Sequence, residues 1–251
     1  VSAIPPWRPL RYAAAMQDAL VALFTRTFGH APAAVTRLAA DGSQRLYYRL
    51  IGDGPAAVIG AYGPDADENR AFLAFSRAFR GIHLPVPEIY AADESRRIWL
   101  EEDLGDTTLF QAVSAARAKE PGAFPPAVLE AYERALEVLP RFQAEGAQVV
   151  DFGLAYPRAA FDAQSMLWDL NYFKYHFLKL AHVPFNEQRL EDDFHRLIEH
   201  LLTADTDYFL YRDFQSRNIL LRDGEPWFVD YQGGRRGAAQ YDVASLLFDA
   251  K

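Results

Sequence analysis

The chain has 251 residues, about half of them hydrophobic, which is enough to bury the core of one large domain or two small ones. Its formal net charge of −8 argues against a nucleic-acid-binding protein, which would carry a basic surface. Without cysteine it can form neither disulfides nor thiolate metal sites. No apolar run approaches the roughly 18 residues that span a bilayer, and residues 1–9 show no signal-peptide pattern. We therefore expect a soluble cytoplasmic protein without a membrane or nucleic-acid partner.

The first 104 residues predict a helix followed by a unit rich in β-strands. Apolar residues at helical spacing predict a helix over residues 12–28, which we assign to an N-terminal helical extension, residues 1–34. From residue 35 onward, short β-favouring runs alternate with turn residues, which is typical of an antiparallel sheet. Strands are predicted over residues 35–38, 46–51, 56–62, 88–92 and 97–101, with one helix over 64–80.

After Gly105 the pattern becomes mainly helical, so we divide an N-lobe, residues 35–104, from a helical C-lobe, residues 105–251. Helices are predicted over residues 109–118, 128–145, 161–180 and 190–202. A β patch interrupts them, with strands over residues 208–211, 219–221 and 227–229. The chain stops directly after the apolar run 241–248, so we expect further C-terminal helices to be missing. The whole order predicts an α+β fold.

The stretch 209–234 carries the residues best suited to chemistry. Asp213 is followed five residues later by Asn218, and a predicted hairpin over 219–229 then leads to Asp230. Because a hairpin returns its end beside its start, Asn218 and Asp230 are expected to lie together, and their amide and carboxylate oxygens suit Mg²⁺. Asp213 is placed one loop earlier, where it can accept a proton from an incoming hydroxyl. The combination indicates phosphoryl transfer, which requires mainly positioning and charge neutralisation.

These residues resemble the catalytic loop and metal-binding aspartate of the protein-kinase-like fold, in the form found in aminoglycoside and choline phosphotransferases and bacterial sugar kinases. Residues 240–247 are similar to the tyrosine–aspartate segment of that superfamily. The resemblance implies a two-lobed fold with a small antiparallel-sheet N-lobe and a mainly helical C-lobe. It also implies that Asp213 is the catalytic base, that Asn218 and Asp230 hold Mg²⁺, and that Asp242 is structural. Asp and Asn are common at turns, but four matches in register favour the functional interpretation.

The N-lobe is expected to bind the nucleotide, which the resemblance identifies as ATP. Gly42 and Ser43 lie in a loop of small residues, where backbone N–H groups can approach phosphate oxygens, and Arg45 follows. A Gly-Ser hairpin is as often merely a turn. The hinge of the superfamily, whose backbone pairs with the nucleobase edge, resembles the segment Glu101, Glu102 and Asp103. We assign the segment, and not its carboxylates, to this role.

One departure from the superfamily concerns the lysine that normally reaches the α- and β-phosphates from the third strand. The corresponding strand, 57–62, contains no lysine, and Glu68, which would match the usual partner of that lysine, is expected to have nothing to pair with. Arg45 or Arg49 of the neighbouring strand is a candidate for the missing charge. Some bacterial sugar kinases of the superfamily also lack the lysine, so its absence does not indicate an inactive enzyme.

The acceptor site is predicted from the aromatic helix 165–180 and the catalytic loop. Asp169, Tyr172 and Arg212 are the candidate acceptor-binding residues, although the aromatic residues of a core helix also merely pack. The helix is similar to that of bacterial kinases that phosphorylate the anomeric hydroxyl of N-acetylmuramate and N-acetylglucosamine. We therefore expect a small-molecule kinase that transfers the γ-phosphoryl group of ATP to an amino-sugar hydroxyl.

Three alternatives remain open. Choline or an aminoglycoside is a possible acceptor, since aromatic rings and a carboxylate also suit a cation. A nucleotide-binding pseudokinase is the second alternative, although an intact Asp213 beside both metal ligands favours an enzyme. A protein kinase is less well supported, because only ten residues separate Asp230 from Tyr241, too few for a peptide-docking segment. Nothing in the sequence indicates a protein partner.

Overall fold

A computed structural model of the chain describes residues 8–38, 44–52, 57–120, 122 and 124–249. The helices are α1 (Arg8–Phe28), α2 (Ala66–Gly81), α3 (Leu109–Lys119), α4 (Pro126–Pro140), α5 (Ala147–Val149), α6 (Ala163–Phe173), α7 (Glu187–Leu201) and α8 (Gln240–Leu247). The strands are β1 (Ala34–Arg37), β2 (Leu46–Ile51), β3 (Ala57–Tyr62), β4 (Ile89–Asp93), β5 (Ile98–Glu102), β6 (Tyr208–Leu210), β7 (Ile219–Arg222), β8 (Glu225–Phe228) and β9 (Arg235–Gly237). The order confirms the predicted α+β class, a β-rich half followed by a mainly helical one.

The N-lobe is a five-stranded antiparallel sheet with the order β1-β2-β3-β5-β4. Helix α1 covers one face, because Leu20 and Phe24 are buried against Leu50 and Leu100 of the strands. Helix α2 packs on the other face and begins at Asp65, whose side chain accepts hydrogen bonds from the backbone N–H groups of the first turn. The face of the sheet that carries α2 is also the face that packs against the C-lobe.

The C-lobe contains two small sheets, β6 with β9 and β7 with β8. The predicted hairpin is β7–β8, and its turn residues Asp223 and Gly224 both adopt positive φ, at 54° and 83°. Such values at both central positions fit the right-handed twist of the two strands. Strand β9 was not predicted, because its sequence Arg235-Arg236-Gly237 has no apolar alternation and its pairing with β6 is a tertiary contact.

Two predicted helices are not regular throughout, which corrects the sequence prediction. The helix predicted over 128–145 ends at Pro140 and continues as a π-helical turn, Arg141–Gly146. Pro140 has no N–H to donate to the preceding turn, so the regular hydrogen-bond ladder is interrupted there. The helix predicted over 161–180 likewise changes to a π-helical turn, Lys174–Leu178, in which Lys174 is buried and forms ion pairs with Glu187 and Glu191 of α7.

An aromatic cluster joins the two lobes. Phe72, Phe75 and Phe79 share one face of α2, as their spacing predicts, and all three are buried. Phe79 lies at the centre of the cluster and meets four other rings at centroid distances of 5.0–6.2 Å, those of Phe75, Phe142, Phe209 and Tyr231. The relative position of the lobes therefore depends on apolar packing around α2. Among the described residues, no helix is both long enough and apolar enough to cross a membrane.

We predict that Phe79→Ala lowers the free energy of unfolding by about 3–5 kcal/mol, because it leaves a cavity where the lobes meet. Chemical denaturation followed by tryptophan fluorescence measures this change. The control is Phe173→Ala, since Phe173 is 44% exposed and its removal should cost less than about 1 kcal/mol. Equal losses in both variants would show that Phe79 is not the centre of the inter-lobe core.

Candidate active site

The catalytic loop, residues 211–218, joins β6 to β7 and is held by a buried carboxylate. Asp242 of α8 accepts hydrogen bonds from the backbone N–H groups of Tyr211 and Arg212, both at 2.9 Å. Its carboxylate also accepts the Nε2–H of Gln143 at 3.1 Å. These bonds fix Arg212 in the left-handed region, at φ 76°, a conformation that costs energy in a residue with a side chain. The geometry is that of a structural brace.

Asp213 follows directly in this loop and lies largely out of water. Burial and the nearby carboxylate of Asp230 raise the pKa of Asp213 to about 6. Gly233 approaches it so closely that a Cβ at this glycine would lie 3.2 Å from Asp213 Oδ2. Asp213 thus has a raised proton affinity. The space on one side of its carboxylate exists because residue 233 has no side chain.

The hairpin brings Asn218 and Asp230 together, as the sequence predicts. The backbone N–H of Val229 donates to the carbonyl of Asn218 at 3.0 Å, which closes the hairpin base. The side-chain Nδ2 of Asn218 donates to Asp230 Oδ2 at 3.2 Å and to the backbone carbonyl of Asp213 at 2.9 Å. Asp230 itself has φ 68°. One amide therefore links the candidate base to the candidate metal carboxylate.

The residues around Asp230 suit a hydrated magnesium ion. Gln232 donates its Nε2–H to Asp230 Oδ1 at 2.5 Å, while its own Oε1 is buried without a hydrogen-bond partner. A buried acceptor in this position requires a donor, and a water molecule bound to a cation on Asp230 can supply one. Within the described part of the chain no group of three acidic or histidine side chains is placed to hold a metal alone. Mg²⁺ is commonly held by one or two protein oxygens together with substrate phosphates and water.

The structure corrects the expectation that Glu68 has nothing to pair with. Arg45, the residue before β2, places its Nη2 3.1 Å from Glu68 Oε1 of α2. The guanidinium is buried, lies 5.9 Å from the ring centroid of Trp99, and feels the negative charge of Asp230. The partner that Glu68 lacks in the third strand is thus an arginine that directly precedes β2. Arg49 is committed elsewhere, since it binds both Asp103 and Asp106 through paired hydrogen bonds.

A cavity of about 140 Å³ lies between the lobes at the predicted hinge. Apolar side chains from both lobes form its walls, among them Ile59 of β3 and Leu220 of β7. The hinge residues Glu101, Glu102 and Asp103 line the cavity. Their carboxylates differ: Glu102 accepts from Arg222 at 2.6 Å, and Asp103 from Arg49 at 3.0 Å, whereas Glu101 is buried. Gly42 and Ser43 of the predicted phosphate loop lie outside the described residues.

On the other side of Asp213 lies the predicted acceptor site. The guanidinium of Arg212 binds Asp169 of α6 through two parallel hydrogen bonds of 2.9 and 3.1 Å. Tyr172 does not share this arrangement: it is 67% exposed and its ring stacks on His176 at 4.3 Å. The structure therefore brings Asp169 and Arg212 to the catalytic loop and leaves Tyr172 on the surface.

Three residues near the site were not anticipated from the sequence. Gln143 lies in the π-helical turn and donates to Asp242. The available signal for this irregular turn was Pro140 within a helical run. The position of Gln232 two residues after Asp230 was the available signal, but its orientation toward that carboxylate is a tertiary feature. Arg235 is buried, donates to the backbone carbonyls of Gly233 and Tyr156, and carries a charge that acts on Asp213; no sequence pattern marks it.

An antiparallel lobe, a braced catalytic loop and a hairpin ending in an aspartate define the two-lobed kinase-like class of fold. The chain belongs to the phosphotransferase enzyme family, whose sequence profile matches residues 34–251. It is 28% identical over 220 residues to an N-acetylmuramate/N-acetylglucosamine kinase of Neisseria meningitidis, an alignment that covers 86% of this chain. The same alignment covers 61% of the relative, so the chain spans about three fifths of that protein's length.

Solved structures show the same fold at low sequence identity. A choline kinase from Streptococcus pneumoniae superposes with a TM-score of 0.64 at 11% identity, covering 93% of this chain and 74% of that one. A thermostable aminoglycoside phosphotransferase, in a ternary complex with AMP-PNP and hygromycin B, gives a TM-score of 0.56 at 14% identity, with coverages of 92% and 76%. These likenesses confirm the predicted kinase-like fold.

We predict that Asp242→Asn lowers the free energy of unfolding by about 1–3 kcal/mol, because an amide nitrogen would face a backbone N–H that now has an acceptor. Thermal and chemical denaturation measure the loss. Asp207→Asn is the matched control, since the Asp207 side chain is 87% exposed and its ion pair with Arg236 is long, at 3.6 Å. A stability loss no greater than that of the control would contradict the role of Asp242 as the brace.

Proposed function

We propose that this chain is the kinase portion of an ATP-dependent phosphotransferase that acts on an amino-sugar hydroxyl, of the N-acetylmuramate/N-acetylglucosamine type. The observation that carries the proposal is the linked group of Asp213, Asn218 and Asp230, placed between an inter-lobe cavity and the Arg212–Asp169 pair. Membership of the phosphotransferase family supports the reaction class. The printed name of the Neisseria meningitidis relative supports the acceptor class.

Each group has a defined task in the proposed reaction. The acceptor hydroxyl lies against Asp213, which takes its proton as the oxygen attacks the γ-phosphorus, and the bond to the β-phosphate oxygen breaks to release ADP. Asn218 and Asp230 would hold Mg²⁺, which would supply charge neutralisation at the phosphate oxygens. Gly233 leaves room beside Asp213, and Arg212 and Arg235 offset the negative charge that burial concentrates there.

Arg45 takes the place of the missing lysine in this proposal. Its ion pair with Glu68 holds the guanidinium inside the N-lobe, and the influence of Asp230 on it indicates that it faces the metal end of the cleft. There its planar group can donate to oxygens of the α- and β-phosphates. Gly42 and Ser43 are proposed to cover the phosphates from above, and the hinge backbone to pair with the nucleobase.

The charge of the acceptor site favours a sugar over a cationic acceptor. Asp169 would attract choline or an aminoglycoside if its carboxylate were unpaired, but Arg212 neutralises it through two hydrogen bonds. A neutral or anionic acceptor with hydroxyl groups does not require a free carboxylate. Its hydroxyl groups can still donate to the remaining lone pairs of the Asp169 oxygens. The pair therefore supports the amino-sugar acceptor among the alternatives considered.

We predict that Asp213→Asn reduces acceptor-dependent ADP release by about 10²–10⁴-fold, because the amide cannot accept the proton. The assay uses Mg²⁺ and ATP with N-acetylmuramate, N-acetylglucosamine, hexoses, choline and kanamycin. Because only the carboxylate is active, the rate of the unaltered chain should fall as the pH drops through the raised pKa of Asp213, about 6. Asp207→Asn serves as the control and should keep full activity.

Two results would contradict the proposal in different ways. Phosphorylation of choline or kanamycin alone would overturn the acceptor class and leave the kinase class intact. Binding of ATP with no turnover of any acceptor would support the pseudokinase alternative.

We predict that Arg45→Ala weakens ATP binding by about ten- to a hundredfold, because one charge-assisted contact to phosphate is lost. Arg45→Lys should keep most of the affinity, since an ammonium group can replace the charge. Titration with MgATP measures both constants, and Arg70→Ala is the control because Arg70 is 53% exposed and, among the described residues, forms its ion pair with Asp67 of its own helix. Equal affinity in Arg45→Ala and the unaltered chain would show that another group holds the phosphates.

A further inference from the structure

Glu101, at the nucleobase cavity, has a buried carboxyl group that takes no part in the proposed phosphoryl transfer. It lies on β5 with 9% of its surface exposed and forms part of the cavity wall beside Ile59 and Leu220. Its Oε2 accepts the indole Nε1–H of Trp99 at 2.7 Å. The charge of Arg45 acts on it, but the ion pair of Arg45 is with Glu68. Burying a carboxyl group without a close cation is costly, so its place at a ligand cavity requires an explanation.

The neighbouring hinge carboxylates are already committed to arginines, and Glu101 is not. Glu102 accepts from Arg222, and Asp103 from Arg49. These pairs neutralise both carboxylates. The carboxyl group of Glu101 is instead buried in the wall against which the edge of a base would lie, and it accepts its hydrogen bond from a neutral indole rather than from an arginine.

We propose that Glu101 selects the nucleobase by accepting a hydrogen bond from an exocyclic amino group at the 6-position of a purine and by repelling a keto oxygen there. The inference rests on the proposed function, since it requires a purine nucleotide in this cavity. A purine held between Ile59 and Leu220, with its polar edge against the hinge, turns its 6-substituent toward β5. An ionised carboxylate only accepts hydrogen bonds, so it matches the amino group of adenine and opposes the oxygen of hypoxanthine or guanine.

The buried setting makes this discrimination large. In water two mismatched acceptors would separate and bind solvent, but a keto oxygen held against the buried carboxylate of Glu101 would meet a second acceptor in place of a donor. Burial raises the pKa of Glu101 to about 7, so the group is mainly a carboxylate at pH 8. The cavity should therefore prefer adenine nucleotides at pH 8.

The test compares MgADP with MgIDP, which differ at the 6-position through an amino or a keto group. Dissociation constants are measured by calorimetry at pH 8 for the unaltered chain, Glu101→Gln and Glu101→Met. We expect the unaltered chain to prefer ADP by about tenfold or more, the value of one hydrogen bond. Glu101→Gln should lose most of this preference, because the amide can turn its NH₂ toward a keto oxygen, and Glu101→Met should lose it through the loss of both oxygens.

Glu94→Gln is the matched control, since Glu94 is exposed in the turn between β4 and β5, and it should leave the preference unchanged. Equal affinity of the unaltered chain for ADP and IDP overturns the inference, and this result does not depend on any variant folding. A preference for ADP that persists in both Glu101 variants overturns it as well. Failure of the unaltered chain to bind either nucleotide would instead overturn the proposed function, and the inference with it.

Discussion

The geometry of the candidate site depends on the hydrogen bonds that Asp242 accepts. Its carboxylate is buried, which raises its pKa to about 6, and three donors compensate for the loss of water: two backbone N–H groups of the catalytic loop and the side chain of Gln143. Because one of those backbone groups belongs to Arg212, the brace sets the unusual φ of that residue and the direction in which the chain enters Asp213. Helix α8, the loop and the π-helical turn after α4 are thereby tied at one point.

A second set of contacts connects the proposed metal end of the site to the proposed nucleotide end through α2. Tyr231, which lies between Asp230 and Gln232, stacks on Phe72 with a ring separation of 5.3 Å, and its hydroxyl lies 2.6 Å from Ser76 Oγ. Both partners are on α2, the helix that also carries Glu68 and so fixes Arg45. A displacement of α2 would consequently move the carboxylate and the guanidinium together, so the two ends of the cleft cannot be set independently.

The sequence predicted the features that depend on local chemistry. Hairpin geometry alone placed Asn218 beside Asp230, because the turn at Asp223 and Gly224 and the apolar strands fix the register. The fate of Glu68 was predicted incorrectly, since its partner comes from another strand and no helix or strand period reports such a contact. The π-helical turn that carries Gln143 and the orientation of Gln232 were also missed, because both arise from packing between elements distant in sequence.

The distribution of arginines shows how an acidic chain can gather positive charge around the candidate site. Its net charge is −8, yet the charges of Arg212 and Arg235 act on Asp213, and that of Asp230 acts on Arg45. Burial disfavours each of these charges and lowers the pKa of Arg235 to about 10, whereas nearby acidic side chains raise the pKa values of Arg45 and Arg212 in spite of their burial. The acids that concentrate negative charge at the site thus also retain its cations. Substituting one of these acids would therefore also destabilise the positive charge of the arginine beside it. The local charge balance matters more here than the net charge of the chain.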